Sequence, residues 1–444
     1  MRPGRYGRAS ALVTLAVTAG LLLTTAVSGA ATAAPEAGGA EAGAAHGQAR
    51  VQVETQVMGQ VETQPEGQRQ AAAAPSDVPT TFTHPGVHVS RSQLDFVRQQ
   101  VQAGAQPWRR AYDAMMGSRY ASLSYTPHPR AVVECGSYSN PNIGCTDERE
   151  DAIAAYTHAL AWSVTRDARY AQKSIAIMNA WSPVIRDHTN SNAPLQTAWA
   201  GSVWPRAAEI IRYTGAGWAS ADVDRFERML RDVYLPEVIN GSRSNGNWEL
   251  SMMEAAVGIA VFLDDRNAYA AARQKFLVRV PAFIYLTSDG SVPRTVPGTG
   301  RDTPDQIFAF WHNQRTLVNG LAQETCRDFT HTGYGISAIS HVAETAAIQG
   351  DDLYPQVGER LRHALGFHST YQRGTAVPSW LCGGSVHLGL GPVTEVGFNA
   401  LHNRQGFSMT NTQALTESMR PQGTNNLFVA WETLTHAENP RVLG

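Results

Sequence analysis

"DEREDAIAAYTHALAWSVTRDARYAQKSIAIMNAWSP", residues 147–183, decides the fold. Its first part runs about five helical turns. Asp147, Glu148 and Glu150 stand at its start, where carboxylates suit the positive end of a helix dipole. After a short break a second run with helical spacing ends before Pro183, a residue that cannot continue a helix. Two helices joined by so short a connection pack as an antiparallel hairpin.

The theme recurs in both directions along the chain. Upstream, Ser90 is placed to cap "RSQLDFVRQQVQ", and Pro107 suits the first turn of "PWRRAYDAMMG". Downstream come "QTAWAGSVWPRAAEIIRYTG" and "ASADVDRFERMLRDVYLPEVI", the latter starting at a Ser220 cap. "NWELSMMEAAVGIAVFLDD" is followed by "RNAYAAARQKFLVRVPAFIYL". Then "DQIFAFWHNQRTLVNGLAQE", "GISAISHVAETAAIQG" and "PQVGERLRHALGFHSTY" continue the helical pattern. Period-2 patterns are scarce. Serial hairpins predict an all-α chain folded as an α/α toroid, an incomplete α/α barrel, with inner helices lining a cleft and loops on one rim carrying function. The Gly- and Pro-rich stretch from Gly374 to Gly406 reads as a long rim excursion. No length is left for a separate β-sandwich.

The chain begins with Arg2, Arg5 and Arg8, an apolar run from Ala11 to about Ala26, and small residues. This is the layout of a cleaved secretory signal over residues 1–33. Residues 34–80, rich in Ala, Gly and Gln, bury too little apolar surface to offset ordering entropy and read as a disordered linker. Residues 81–444 form the expected α/α-toroid domain, and the protein is expected to be extracellular. Formal charge over the whole chain is −2. Loss of a leader bearing three arginines and no acid leaves the remainder mildly acidic. No feature favours nucleic acid or, after signal cleavage, membrane. Four cysteines follow the leader, and export permits disulfides. "CGSYSNPNIGC" reads as a loop tied at its base by Cys135 and Cys145, leaving Cys326 with Cys382; four buried free thiols are the alternative. No Cys/His zinc spacing appears, and no cofactor or metal is expected.

The densest polar stretch is "ETCRDFTHTGYG", residues 324–335. On a helix Glu324, Arg327, Asp328, His331 and Tyr334 share one face. A solvated face rarely leaves glycines such as Gly333 and Gly335 in mid-helix, where each costs ~1 kcal/mol against Ala, so the stripe reads as a cleft lining. In "SRSNGNWELSMMEA", Asn245 reads as an N-cap, whereas Asn247 beside Trp248 suits a sugar ring that needs an amide and a stacking face. "DGSVPRTVPGTGRDTPDQIFAFWHNQ" has the form of a rim loop leading into a helix, with Arg294, Arg301, Trp311 and His312 as candidate ligands. "EVGFNALHNRQGFSM" adds His402 and Arg404, the latter equally readable as a structural ion pair.

"NGNWELSMMEA", "DGSVPRT", "QETCRDFTHTGYGI" and "EVGFNALHNR", in this order, resemble the alginate-lyase superfamily of secreted polysaccharide lyases, over most of the region from Asn245 to Arg404. The resemblance implies an α/α barrel that cleaves acidic polysaccharides by β-elimination. It implies an Asn holding the uronate carboxylate, with a His, a Tyr and often an Arg near the labile bonds. The motif Asn falls on Asn247 and the motif His on His331; Arg327 and Tyr334 supply the remaining groups. Trp248 stands where one relative has a histidine, and Trp311 near a tyrosine of that relative.

The chemistry agrees with the class. A C5 proton beside a charged carboxylate is very weakly acidic. Donors that neutralise the carboxylate stabilise the enolate-like intermediate, and a Tyr or His can move the protons. The expected catalytic set is therefore Asn247, Arg327, His331 and Tyr334. The expected binding set is Trp248, Arg301, Trp311, His312, His402 and Arg404, acting on a uronate polymer such as alginate or glucuronan, in a monomer. Two other functions compete. A glycoside hydrolase needs two opposed carboxylates, available from Glu249, Glu254, Glu324 and Asp328. A non-catalytic carbohydrate-binding protein would use Trp248 and Trp311 as platforms.

Overall fold

The computed structural model describes residues 78–440. The leader expected at 1–33, and the linker up to residue 77, lie outside the described residues. Within the described part of that linker, Val78 lies against the core, and the Pro79 carbonyl accepts from Arg266 Nε at 2.9 Å.

Helices α1 (Arg91–Gln102) and α2 (Trp108–Met116) lead into a series of hairpins. These are α3 (Cys145–Thr165) with α4 (Ala168–Trp181), then α5 (Ala193–Tyr213) with α6 (Ser220–Met229). A π-helical turn at Leu230–Tyr234 carries α6 into α7 (Leu235–Val238). Next come α8 (Gly246–Phe262) with α9 (Arg266–Phe283), the short α10 (Pro304–Phe310), and α11 (Phe329–Ile348) with α12 (Tyr354–Gln372). The chain finishes through α13 (Glu395–Phe398), a π-helical turn at Asn399–Arg404, α14 (Thr410–Met419) and α15 (Glu432–His436). Ser90 caps α1 with a reciprocal capping box through Gln93, as its sequence predicts.

Helices α3, α5, α8 and α11 are buried on almost every face, so they can only be inner helices. α3 packs on α5, α5 on α8 and α8 on α11, and the row returns to α3 through α13, α15 and α1. This is the α/α toroid. Because each outer helix carries the chain back, the four inner helices run the same way and present their N-termini on one rim.

Three departures from the sequence reading bear on that rim. First, β1 (Val132–Cys135), β2 (Asn142–Ile143) and β3 (Asp187–Thr189) form a small sheet in the order β2-β1-β3, antiparallel then parallel. Strands this short leave no period-2 signature. Second, the helix expected to run on from Asp305 stops at Phe310, because His312 (φ 53°) and Asn313 (φ 61°) turn left-handed. Third, residues 324–328 are not helical: α11 starts at Phe329 with Asp328 as its N-cap. Both expected disulfides are present, Cys135–Cys145 and Cys326–Cys382, with Cα separations of 5.9 and 5.1 Å.

Candidate active site

The rim site is built on the first turns of the inner helices. Asp328 accepts from the His331 backbone N–H at 2.7 Å, the standard N-cap bond, and the same carboxylate lies 2.8 Å from His331 Nδ1 through each oxygen. One side chain thus starts the helix and orients the imidazole. Burial alone would raise the Asp328 pKa, but the His331 hydrogen bonds and the Arg327 charge outweigh it and hold it below the usual carboxylate range.

Glu324, fully buried, accepts from the Asn247 backbone N–H at 3.0 Å and from Asn247 Nδ2 at 2.8 Å through both oxygens. Gln323 Oε1 accepts from Gly246 N at 2.9 Å. The free N–H groups at the start of α8 are therefore capped from the turn before α11. The Asn245 side chain, expected to cap α8, instead accepts from Gln323 Nε2 at 3.1 Å. Arg327 Nη1 donates to Glu324 Oε1 at 2.9 Å, so Glu324 fixes both Asn247 and Arg327. The Asn247 amide N–H groups face Glu324, leaving Oδ1 buried without a protein partner.

Tyr334 lies one turn along α11 from His331, the rings 5.4 Å apart and edge-on. Its other neighbours are Trp199 at 5.9 Å and Phe428 at 6.0 Å. Burial first, then the Asp328 charge, raise its pKa, with Arg149 and Arg327 pulling the other way. The Tyr334 hydroxyl is therefore a neutral phenol in the resting protein. Arg149, the fifth residue of α3, stacks over Trp199 at 5.6 Å and donates to Gln196 Oε1 at 2.6 Å. Arg149, Gln196 and Trp199 were not singled out from sequence. Their one visible signal was a basic residue among the acids that open α3.

The structure gathers Asn247, Arg327, His331 and Tyr334 on this rim. His312 keeps an exposed face but sits among protein atoms close enough to feel the charges of Glu324, Arg327 and Asp328; the partial loss of water around its ring, then Arg327, lower its pKa, and the two carboxylates oppose this. Trp248 is half-buried against the core. The other expected ligands are committed to contacts within the protein. Trp311 is 1% exposed, in a satellite core with Tyr285 and Leu381, so it offers no stacking face. Arg301 lies over the Phe310 ring and donates to the Arg243 carbonyl, and Arg294 pairs with Asp289. His402 stacks on Phe398, and Arg404 pairs with Glu344 near the far end of α11. Of the carboxylates weighed for hydrolysis, Glu249 pairs with Arg279 and Glu254 with Arg206. Glu324 and Asp328 are committed as described above. Among the described residues, the grouping of side chains suited to a metal is His88, His341 and Glu432, away from the rim.

The glycines that suggested a lining face are required by packing. A Cβ on Gly333 would fall 2.4 Å from the Leu390 carbonyl oxygen and one on Gly335 2.3 Å from Phe283 Cε1; a Cβ on Gly246 would meet the same ring, 2.2 Å from Phe283 Cδ2. The Phe283 ring fills the space between the starts of α8 and α11.

The fold resembles that of alginate lyase A1-III from Sphingomonas species A1, with a TM-score of 0.55 at 15% identity over 80% of this chain and 97% of that one. A histidine-to-alanine variant of that enzyme, solved with a tetrasaccharide, gives 0.56 at 14% identity, over 82% and 98%. A tyrosine-to-phenylalanine variant, also with a tetrasaccharide, gives 0.54 at 16%, over 80% and 97%. No curated protein sequence matches the chain. Residues 140–377, which carry the rim from Arg149 to Tyr334, match the family described as alginate lyase. The chain belongs to the alginate lyase family and is a polysaccharide lyase.

Proposed function

We propose that the protein is an extracellular lyase that cleaves a uronate-containing polymer, of alginate or glucuronan type, by β-elimination at the rim of the toroid. The observation that carries this reading is the pairing on one face of α11 of an imidazole oriented by a carboxylate and an unpaired phenol. Asp328 holds His331 by Nδ1, which leaves Nε2 to act as base toward a C5 proton. Tyr334, a neutral phenol, then protonates the departing O4. Arg327, braced by Glu324, neutralises the substrate carboxylate, and Arg149 adds positive potential. Asn247 acts by fixing Glu324, with only its Oδ1 left for substrate. Four inner-helix N-termini facing the same rim also favour an anionic chain.

The tetrasaccharide complexes of A1-III support an oligosaccharide ligand for this fold. The commitment of all four candidate carboxylates to cations or amides supports elimination over hydrolysis. The two disulfides support export, and none of the described helices is long and apolar enough to cross a membrane. Residues 1–33 would be the signal and the enzyme would act as a monomer. The test is a screen of the purified protein against alginate, glucuronan and glycosaminoglycans, read at the near-ultraviolet absorbance of the C4–C5 double bond.

A further inference from the structure

We infer that His88, His341 and Glu432 form a structural binding site for a divalent transition metal of the zinc class, in the interior of the toroid and outside the lyase site. The three are 1%, 1% and 0% exposed, and one ligand atom from each lies within 4.8 Å of the others. They come from the segment before α1, the middle of α11 and the start of α15.

The His88 ring is the observation that requires a partner. Both its nitrogens are buried and neither has a hydrogen bond within the protein. Its ring centroid lies 4.8 Å from that of His341 and 4.5 Å from that of His436. An imidazole buried without a partner carries the full cost of its desolvation. Glu432 Oε2 is likewise unpaired, while Glu432 Oε1 lies 2.7 Å from His341 Nε2. A cation between these three groups would satisfy His88 and both Glu432 oxygens.

The surroundings fit a metal-bound imidazole. Glu254 Oε1 lies 2.9 Å from His341 Nδ1, on the side of the ring away from Glu432. A carboxylate behind a ligating histidine fixes its tautomer and raises its basicity. Arg206 pairs with Glu254, lies 3.1 Å from His341 Nδ1 through the same Nη2, and donates to the Phe428 carbonyl at 3.0 Å, so Glu254 and Arg206 together face the Nδ1 side of the ring and Glu432 faces Nε2, the side left to the metal. His436 is not a ligand: Nε2 lies 3.0 Å from the His88 carbonyl and Nδ1 2.7 Å from Thr435 Oγ1. It holds the His88 backbone in place instead. Two imidazoles and a carboxylate suit zinc, with distances near ~2.0–2.2 Å after small rotamer changes. The enclosure marks a structural role. The ion would stitch the first and last segments of the toroid to α11, about two turns from Tyr334.

The competing arrangement needs no metal: a protonated His341 bridging Glu254 and Glu432, with Arg206 completing two cations and two anions. It leaves His88 unexplained, and experiment separates the two. The measurements are metal content of protein purified without nickel resin or chelator, thermal unfolding after chelator treatment with and without added Zn2+, and visible spectra of Co2+-loaded protein. The site predicts about one ion per chain, a melting temperature lowered by chelation and restored by Zn2+, and Co2+ d–d bands. His88→Gln should abolish the bound ion and the bands. Wild-type protein that holds no metal, gives no Co2+ bands and melts alike with and without Zn2+ would overturn the inference, whether or not the variant folds. So would metal bound equally by wild type and His88→Gln.

Discussion

The carboxylate of Asp328 grips the imidazole of His331 at Nδ1, 2.8 Å from each oxygen, while the same carboxylate caps the helix that carries the ring. Helix start and imidazole orientation are thus one interaction. Asp328→Asn separates its two functions, because Asn caps a helix as well as Asp does but cannot hold the ring in one tautomer as an anion. The fold should survive, with unchanged circular dichroism, and kcat should fall on the order of 10²-fold or more. Wild-type kcat would argue against His331 as the base.

Asp328 also predicts a pH signature in stability. Its folded-state pKa is depressed, through the hydrogen bonds and charges that outweigh burial. The stability this contributes is complete above the unfolded value of about 4 and is lost as pH falls through the lower folded value. The difference in melting temperature between wild type and Asp328→Asn should therefore shrink as pH is taken from about 6 to about 3. The Asp328 side chain is 25% exposed, so solvent screening keeps the difference modest. A gap that widens on acidification would contradict the assignment.

Asn247 and Glu324 form the second pair to test. From sequence alone, Asn247→Ala is expected to cost about 10²-fold in turnover by removing an anion-stabilising donor, with folding intact. The structure changes that expectation, because the donors of Asn247 are spent on buried Glu324. Glu324→Ala leaves those donors unpaired and Arg327 unbraced, and should destabilise by about 3 kcal/mol as well as slow turnover. Asn247→Ala should lose both activity and about 1–3 kcal/mol, read from urea unfolding. A fully stable, inactive Asn247→Ala would return Asn247 to direct substrate contact.

Much of this was legible in the sequence, and the misses have physical causes. The hairpin of α3 and α4 was readable because propensity, capping and periodicity agree there. His331 and Tyr334 were correctly placed on one face because both lie within α11. Glu324 and Arg327 fell into the same pattern, but they reach the site from a turn; spacing of three and four residues does not distinguish a helix from a turn that feeds one. Trp311 looked like a platform because sequence carries no burial, and a tryptophan beside a histidine reads the same inside a core. Arg149 and Trp199 were missed because two other inner helices, far away in the chain, bring them to Tyr334.

The Cys326–Cys382 bond ties the turn that carries Glu324 and Arg327 to the rim segment beyond α12. That segment touches α11 again where the His387 carbonyl accepts from Phe329 N at 2.8 Å. Its sequence separation is 56 residues, for which chain entropy gives about 4 kcal/mol of stabilisation. The Cys326→Ser, Cys382→Ser double variant should unfold at lower denaturant concentration and bind substrate more weakly, seen as a raised KM. Peptide mapping of the non-reduced protein that finds both thiols free would refute the linkage.

Elimination at the rim differs from hydrolysis in one countable product, the unsaturated end. Purified protein is incubated with each uronate polymer, and new reducing ends are counted against near-ultraviolet absorbance, for wild type and for Tyr334→Phe. Elimination with Tyr334 as proton donor predicts a substrate on which wild type forms one unsaturated end for each bond broken, while Tyr334→Phe, which keeps the ring but lacks the proton donor, is inactive. New reducing ends without absorbance, or full activity in Tyr334→Phe, would contradict it.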